Sequence, residues 1–176
     1  MKTFIFLLLL FSNLTAGIIN VPIDEETIQD GIEEADEGDT VLVAPGTYFE
    51  HIVLNKEIVL ASHAVYDDLE TNWHSNQNIQ ETIISGANEP EDPKRGSCLV
   101  IHNNNIQPTI FGFTFKEGKG SSLEFTQCDL KLDQRSGGAI LIYKAYPTIT
   151  YNRFLNNGAS AQFEGENPTA TEVVTS

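Results

Sequence analysis

Short apolar runs rich in β-branched residues recur along the chain and are separated by Pro, Gly and Asn. Residues 40–44, 48–54 and 58–61 form the first series, and residues 82–84 resume the pattern after a polar interval. Runs of this length and composition predict β-strands. Three such strands joined by tight turns predict one coil of a triangular stack.

Two segments in the second half of the chain have nearly the same sequence. Each contains a short apolar strand, a Pro-Thr-Ile corner and a second strand, so that 98–101 matches 139–142 and 108–115 matches 147–154. Such self-similarity is typical of stacked repeats, because each repeat buries its apolar side chains only against its neighbours. The residues predicted to face inward, in aligned rows, are Val41, Val43, Ile83, Leu99, Ile101, Ile110, Phe113, Ile140, Ile142 and Ile149.

One segment has the period of a helix instead. Ile28 and Ile32 lie on one face of an acidic stretch, which predicts a short helix over about 24–38. Asp24 is the predicted N-cap, and Gly38 is the predicted stop. We expect this helix to cover the first coil, because the exposed end of a strand stack would otherwise pair with foreign strands.

Residues 1–17 have the features of a secretory signal peptide. Lys2 precedes the apolar run 4–11, and small residues follow at 15–17. The run is too short to span a bilayer, which requires about 20 apolar residues, so the pattern indicates a removable signal. The mature chain is therefore expected at the cell surface, in the extracellular space or in the periplasm, without a membrane span.

The rest of the chain is predicted to form one domain over 18–158. Polar insertions interrupt it at 62–80, 87–96 and 119–136, and the last of these alternates in a way that favours a hairpin. Residues 159–176 have little apolar content and no convincing strand, so they are expected either to fray or to begin a continuation. In the second case, further coils of a longer chain are the expected partner at that end.

The acidic composition narrows the range of ligands. The net charge is −15, which argues against nucleic acid because phosphates require a basic surface. A polyanionic glycan would need calcium to bridge the like charges. Cys98 and Cys128 would enter a disulfide-permissive compartment on export; they form either a disulfide or two separate thiols, because spacing does not define their geometry.

Residues 27–32 and 38–50 resemble the N-terminal cap and first coil of right-handed parallel β-helix proteins of the pectin-lyase-like superfamily. Residues 82–86 and 110–115 are similar to later coils of that superfamily. The resemblance covers 27–158 and implies an all-β fold, a right-handed parallel β-helix (solenoid) with a short N-terminal capping α-helix. It also implies a carbohydrate ligand, because the enzymes of the superfamily cleave or de-esterify acidic polysaccharides, some of them with calcium.

The matching residues are structural, and no catalytic constellation accompanies them. Thr109 occupies the position where the esterases of the superfamily carry an Asp, and Glu50 is predicted to accept backbone donors at a corner. The sequence therefore favours a secreted, non-catalytic module for carbohydrate binding or a surface role. The alternative is a calcium-dependent polysaccharide lyase, or a fragment of one.

Three sets of residues are candidates for contacts beyond the core. Trp73, Tyr66 and His74, in the first insertion, carry rings that can stack on a sugar; alternatively, Trp73 pins the insertion to the coils. Asp129 and Asp133 are the candidate ligands for calcium, with a solvated strand face as the alternative. No other cofactor is predicted. The third set consists of asparagines at turns, Asn104 or Asn105 and Asn156 or Asn157. Their side-chain amides are expected either to stack on one another between coils or to be solvated.

Overall fold

The structure is a computed structural model that describes residues 16–92, 94–103, 105–127, 130–163 and 172–174. Its parallel strands form three sheets of an all-β arrangement. Sheet A contains, in spatial order, β1 (Ile18–Val21), β2 (Thr40–Val43), β5 (Val59–Ser62), β9 (Thr109–Phe111) and β14 (Thr148–Thr150). Sheet B contains β3 (Gly46–Tyr48), β6 (Thr82–Ser85), β10 (Thr114–Lys116) and β15 (Arg153–Leu155). Sheet C contains β4 (Ile52–Leu54), β8 (Leu99–His102) and β13 (Ile140–Tyr143).

The chain visits the three sheets in a constant order. We call each pass a circuit: the first is β2–β3–β4, the second β5–β6–β8, the third β9–β10–β13, and the fourth β14–β15. Because the strands within each sheet are parallel and follow chain order, successive circuits lie on one another. The arrangement is compatible with a β-helix-like solenoid.

The internal repeat predicted the register between circuits. Leu99 pairs with Ile140, Thr109 with Thr148 and Phe115 with Phe154, as the matching segments require. One detail of the first coil was wrong: residues 58–61 do not close it but belong to β5, which opens the second circuit by pairing with β2. Residues 49–51 also divide the predicted strand 48–54 into β3 and β4.

The paired residues form continuous inward rows, as expected for stacked circuits. The row in sheet A is Ile19, Val41, Leu60, Ile110 and Ile149; the row in sheet B is Tyr48, Ile84, Phe115 and Phe154; and the rows in sheet C are Ile52, Leu99 and Ile140, and Leu54, Ile101 and Ile142. Their middle members are fully buried in one core.

One predicted inward residue faces the other way. Ile83 is half-buried and lies outside the row, whereas Ile84 is fully buried within it. Helix α2 (Gln77–Glu81) runs directly into β6, and the Thr82 hydroxyl donates to the carbonyl of Asn78 at 2.7 Å. This junction sets the phase of the strand, and strand alternation then leaves room inside for only one of the two isoleucines.

Helix α1 (Ile28–Glu34) covers the first circuit, as predicted, but it is shorter than expected. Its N-cap is Thr27, whose hydroxyl accepts from the Asp30 amide at 3.0 Å. Asp24 was therefore the wrong N-cap; its carboxylate accepts from the backbone and side-chain nitrogens of Asn20. The apolar side chains of α1 are buried against β1, β2 and β4.

Two buried asparagines hold the fourth circuit on the third. The Asn152 side chain accepts from the Phe113 amide at 2.8 Å and donates to the carbonyl of Ile110 at 2.9 Å. The Asn157 side chain accepts from the Gly118 amide and donates to the Phe115 carbonyl, at 2.8 and 3.0 Å. Asn157 therefore binds backbone groups of the circuit below, instead of stacking on another amide.

The insertions form structure of their own. Residues 62–80 include two short 3-10 helices, His63–Tyr66 and Trp73–Ser75, and lead into α2. Ala64, Leu69 and Ile79 make a second small core there.

The third insertion is a hairpin, as predicted. An antiparallel sheet contains β7 (Arg95–Gly96), β11 (Gly120–Gln127), β12 (Leu130–Ser136), β16 (Ala159–Phe163) and β17 (Glu172–Val174). The tail thus contains strands where none was expected, because the edge of β12 offers backbone groups with which β16 pairs. Residues 1–15, which make up most of the predicted signal peptide 1–17, lie outside the described residues. No helix in the described part of the chain has the length and apolar character needed to cross a membrane.

Candidate functional site

The first insertion is fixed to the third circuit by two buried hydroxyl groups. The Ser62 hydroxyl donates to the carbonyl of Gly112 at 2.6 Å, and the Thr114 hydroxyl donates to the carbonyl of Ile79 at 2.7 Å. Gly112 has a φ of +81°, and a Cβ there would lie 2.6 Å from the Ser62 oxygen. Only glycine fits this contact. The close approach of Ser62 to the Gly112 backbone therefore fixes where the insertion begins on the stack.

This placement brings aromatic rings from distant parts of the chain together. The Trp73 and Tyr151 ring centroids are 5.9 Å apart at 70°, and the Phe111 and Tyr151 centroids are 5.3 Å apart at 64°. Such edge-to-face arrangements are the favoured geometry for aromatic pairs. His74 extends the cluster, 6.3 Å from Trp73 at 85°. We call Trp73, His74, Phe111 and Tyr151 the aromatic surface.

The members of the aromatic surface are only partly covered. Trp73 and Phe111 are half-buried, and each packs against the small core of the insertion, while His74 and Tyr151 are exposed. Tyr151 has a φ of +57° at the corner where the third circuit has Gly112. An aromatic residue in left-handed backbone costs about 1–3 kcal/mol, and such strain concentrates at functional sites.

The predicted sugar-stacking residues are thus partly brought together. Trp73 and His74 are neighbours within the aromatic surface, whereas the ring of Tyr66 is 6.4 Å from His63 and 70% of the residue is exposed. The contacts of Trp73 also fit the alternative in which it pins the insertion to the stack. Sequence reasoning missed Phe111 and Tyr151, although the repeat aligns Gly112 with Tyr151 and so marks an aromatic residue at a glycine corner.

A second concave region lies between α1 and the loop 87–96. It is an open groove of about 830 Å³ whose lining includes Glu50, His51, Lys56 and Arg95. The Glu50 carboxylate accepts from the amides of Ile28 and Gln29, both at 3.0 Å, which confirms the prediction that it binds backbone donors. Burial raises the pKa of the Glu50 carboxyl above its usual range, against the lowering effect of these two hydrogen bonds.

Lys56 and His51, which also line the groove, are likewise engaged within the protein. Lys56 Nζ donates to the carbonyls of Glu33 and Ala35, both at 2.6 Å, at the end of α1. The ring nitrogens of His51 lie 3.0 and 2.9 Å from the carbonyl oxygens of Ser97 and Asn88. These contacts hold the helix and the loop on the first circuit. The polar side chains of the groove that make them therefore have a structural role.

The predicted metal and disulfide residues fall largely outside the described part of the chain. This applies to Cys128, to Asp129 and to the side chain of Asp133, so the calcium site and the disulfide stay predictions. The Cys98 side chain is buried, its sulfur lies 3.3 Å from the Lys116 carbonyl oxygen, to which the thiol donates, and burial raises the pKa of that thiol to about 11. Among the described residues, no group of three or more His, Cys, Asp or Glu side chains is arranged to hold a metal ion.

Comparisons with protein-family models, with curated proteins and with solved structures find no match to this chain. The similarity of residues 27–158 to the pectin-lyase-like superfamily therefore stays an interpretation of the sequence.

Proposed function

We propose that the chain is a secreted, non-catalytic module with the fold of a right-handed parallel β-helix of the pectin-lyase-like type, and that it binds a neutral glycan through the aromatic surface. The observation that carries the proposal is the convergence of Trp73, Phe111 and Tyr151 on the outside of the stack. Sugar rings present apolar C–H faces, and binding sites for such ligands are lined by aromatic side chains.

The charge of the protein supports a neutral ligand over an acidic one. A protein with a net charge of −15 repels a polyanionic chain over a Debye length of about 8 Å at physiological salt. The four members of the aromatic surface include no carboxylate, Lys or Arg side chain. Neutral polysaccharides meet no such repulsion and need no bridging cation.

The test is binding of the purified protein to an array of neutral and acidic glycans, followed by calorimetry with the best ligand. Trp73→Ala and Tyr151→Ala are each expected to weaken binding about tenfold or more, because truncated aromatic anchors commonly cost more than about 1.4 kcal/mol. Phe49→Ala is the matched control, since it removes an exposed aromatic ring on the groove at the other end of the stack.

Absence of binding to every glycan would refute the proposal, as would undiminished binding by a folded Trp73→Ala variant. Calcium-dependent release of unsaturated, ultraviolet-absorbing products from pectate would instead establish the lyase alternative. The fold is tested separately by an experimental structure: a left-handed winding, or two sheets packed as a sandwich, would contradict it.

A further inference from the structure

The stack has one end formed by β13, β14 and β15, which we call the open face. Each of these strands is the outermost strand of its sheet: β14 in sheet A, β15 in sheet B and β13 in sheet C. Within the residues that the structure describes, no further strand pairs with them. Their outer edges therefore present backbone N–H and C=O groups on three sides of the same end, which is the arrangement that recruits another strand.

The inward rows also end at the open face. Ile142 is 44% exposed and Phe154 is 46% exposed, although their predecessors Ile101 and Phe115 are fully buried in the same rows. The large apolar residues exposed on this last part of the stack are Ile142, Tyr143, Tyr146, Tyr151, Phe154 and Leu155. Exposed apolar side chains at the end of otherwise buried rows mark a candidate interaction site.

The charge at this end differs from that of the rest of the molecule. The chain contains 25 Asp and Glu residues and has a net charge of −15, yet neither residue type occurs between Gly137 and Phe163. Lys144 and Arg153 are the basic residues of that segment. Two copies can therefore approach through their open faces without the carboxylate repulsion that the remainder of the surface would generate.

The opposite end, which we call the closed end, is covered by α1 where the rows of sheet C begin, so that Ile52 and Leu54 are fully buried there. Helix α1 lies across β1, β2 and β4, and the Gln29 side chain accepts from the Val53 amide at 2.8 Å and donates to its carbonyl at 3.3 Å, in place of a neighbouring strand. Head-to-tail growth requires two complementary open ends. Apolar rows that are exposed at one end and covered at the other can be covered by the same end of a second copy.

We propose that two copies of this chain associate through their open faces as a two-fold symmetric dimer. The exposed edges of the two copies then run antiparallel and pair, and the aliphatic and aromatic ends of the rows in one copy cover those in the other.

The experiment is sedimentation equilibrium of the intact protein over a range of concentrations. The expected result is a reversible dimer at twice the mass of one chain. A monomer at every concentration would overturn the proposal, and so would species that keep growing beyond the dimer, since those need a second open end.

A matched pair of substitutions locates the interface. Ile142→Asp places a carboxylate on the open face and is expected to weaken dimerisation at least about tenfold, since a like charge from each copy would be buried in one interface. Ile18→Asp makes the same change at the closed end, where Ile18 is 55% exposed, and is expected to leave the dimer intact. Equal behaviour of the two variants contradicts the assignment.

Hydrogen exchange of the unsubstituted protein provides a measurement that needs no variant. The amides of β13, β14 and β15 are expected to gain protection as the protein concentration rises, while those of β2 and β4 remain unchanged. Protection that is independent of concentration at the open face would overturn the proposal.

Discussion

At one end of the stack, α1 and Gln29 cover the first circuit, whereas at the other end the fourth circuit leaves its rows exposed. The side chains are of the same kind at both ends. Leu54, the first member of its row in sheet C, is fully buried beneath α1, while Ile142, two circuits further along the same row, is 44% exposed. Burial in this fold is therefore a property of the circuit on either side of a residue, and not of the residue type.

The largest expected effect comes from comparing a middle residue with the last residue of the same row in sheet A. Ile110→Ala removes a fully buried side chain that has circuits on both sides, so it is expected to lower the free energy of unfolding by about 2–5 kcal/mol. Ile149→Ala removes the same atoms from a half-buried position and is expected to cost about 1 kcal/mol. Urea denaturation at low protein concentration measures both values. Equal losses would mean that the fourth circuit is covered in solution.

A smaller effect is expected from the side chain that joins the last two circuits. Asn152→Ala leaves the buried Phe113 amide without its acceptor, so it is expected to cost about 1–3 kcal/mol. Asn88→Ala, at an exposed loop position, is the control and should change stability by less than about 0.5 kcal/mol. A neutral Asn152→Ala would show that the fourth circuit is held by its strand pairing alone.

The smallest effect concerns the attachment of α1 at the closed end. Glu50→Gln keeps one carbonyl oxygen but loses one of the two acceptors for the Ile28 and Gln29 amides, so it is expected to cost about 0.5–2 kcal/mol, as for other helix caps.

The pH dependence of this loss follows from the raised pKa of Glu50. A carboxyl whose pKa is higher in the folded than in the unfolded protein adds most to the free energy of unfolding when the pH is below its unfolded pKa. That addition falls as pH rises through the folded pKa. The stability difference between the parent protein and Glu50→Gln should therefore shrink as pH is raised. A difference that grows with pH would show that the two hydrogen bonds outweigh burial.

The repeated segments predicted the pairing of Leu99 with Ile140 and of Phe115 with Phe154, because stacked repeats share the same local sequence. They did not predict that β5 opens a circuit, since a run such as 58–61 has the same composition on any side of the stack. The choice between Ile83 and Ile84 depends on the hydrogen bond between Thr82 and Asn78, which strand alternation alone does not reveal.

The candidate site was predictable only for the residues that lie near each other in the chain. Trp73 and His74 stand out in a polar insertion, but their contact with Tyr151 depends on how the insertion folds onto the third circuit. Glu50 was correctly predicted to bind backbone donors. That these donors belong to α1 was not, because the helix and the corner are joined only by the tertiary fold.

The corners between the sheets absorb large changes in chain length without disturbing the frame. Ala44 and Pro45 join sheet A to sheet B in the first circuit, Gly112 and Phe113 do so in the third, and residues 63–81 do so in the second. The register on both sides of that insertion is nevertheless continuous. The parallel sheets thus form a constant scaffold, and the loops between them can differ in length. A foreign recognition loop grafted in place of residues 63–81 should therefore be held rigidly at both ends and face outward.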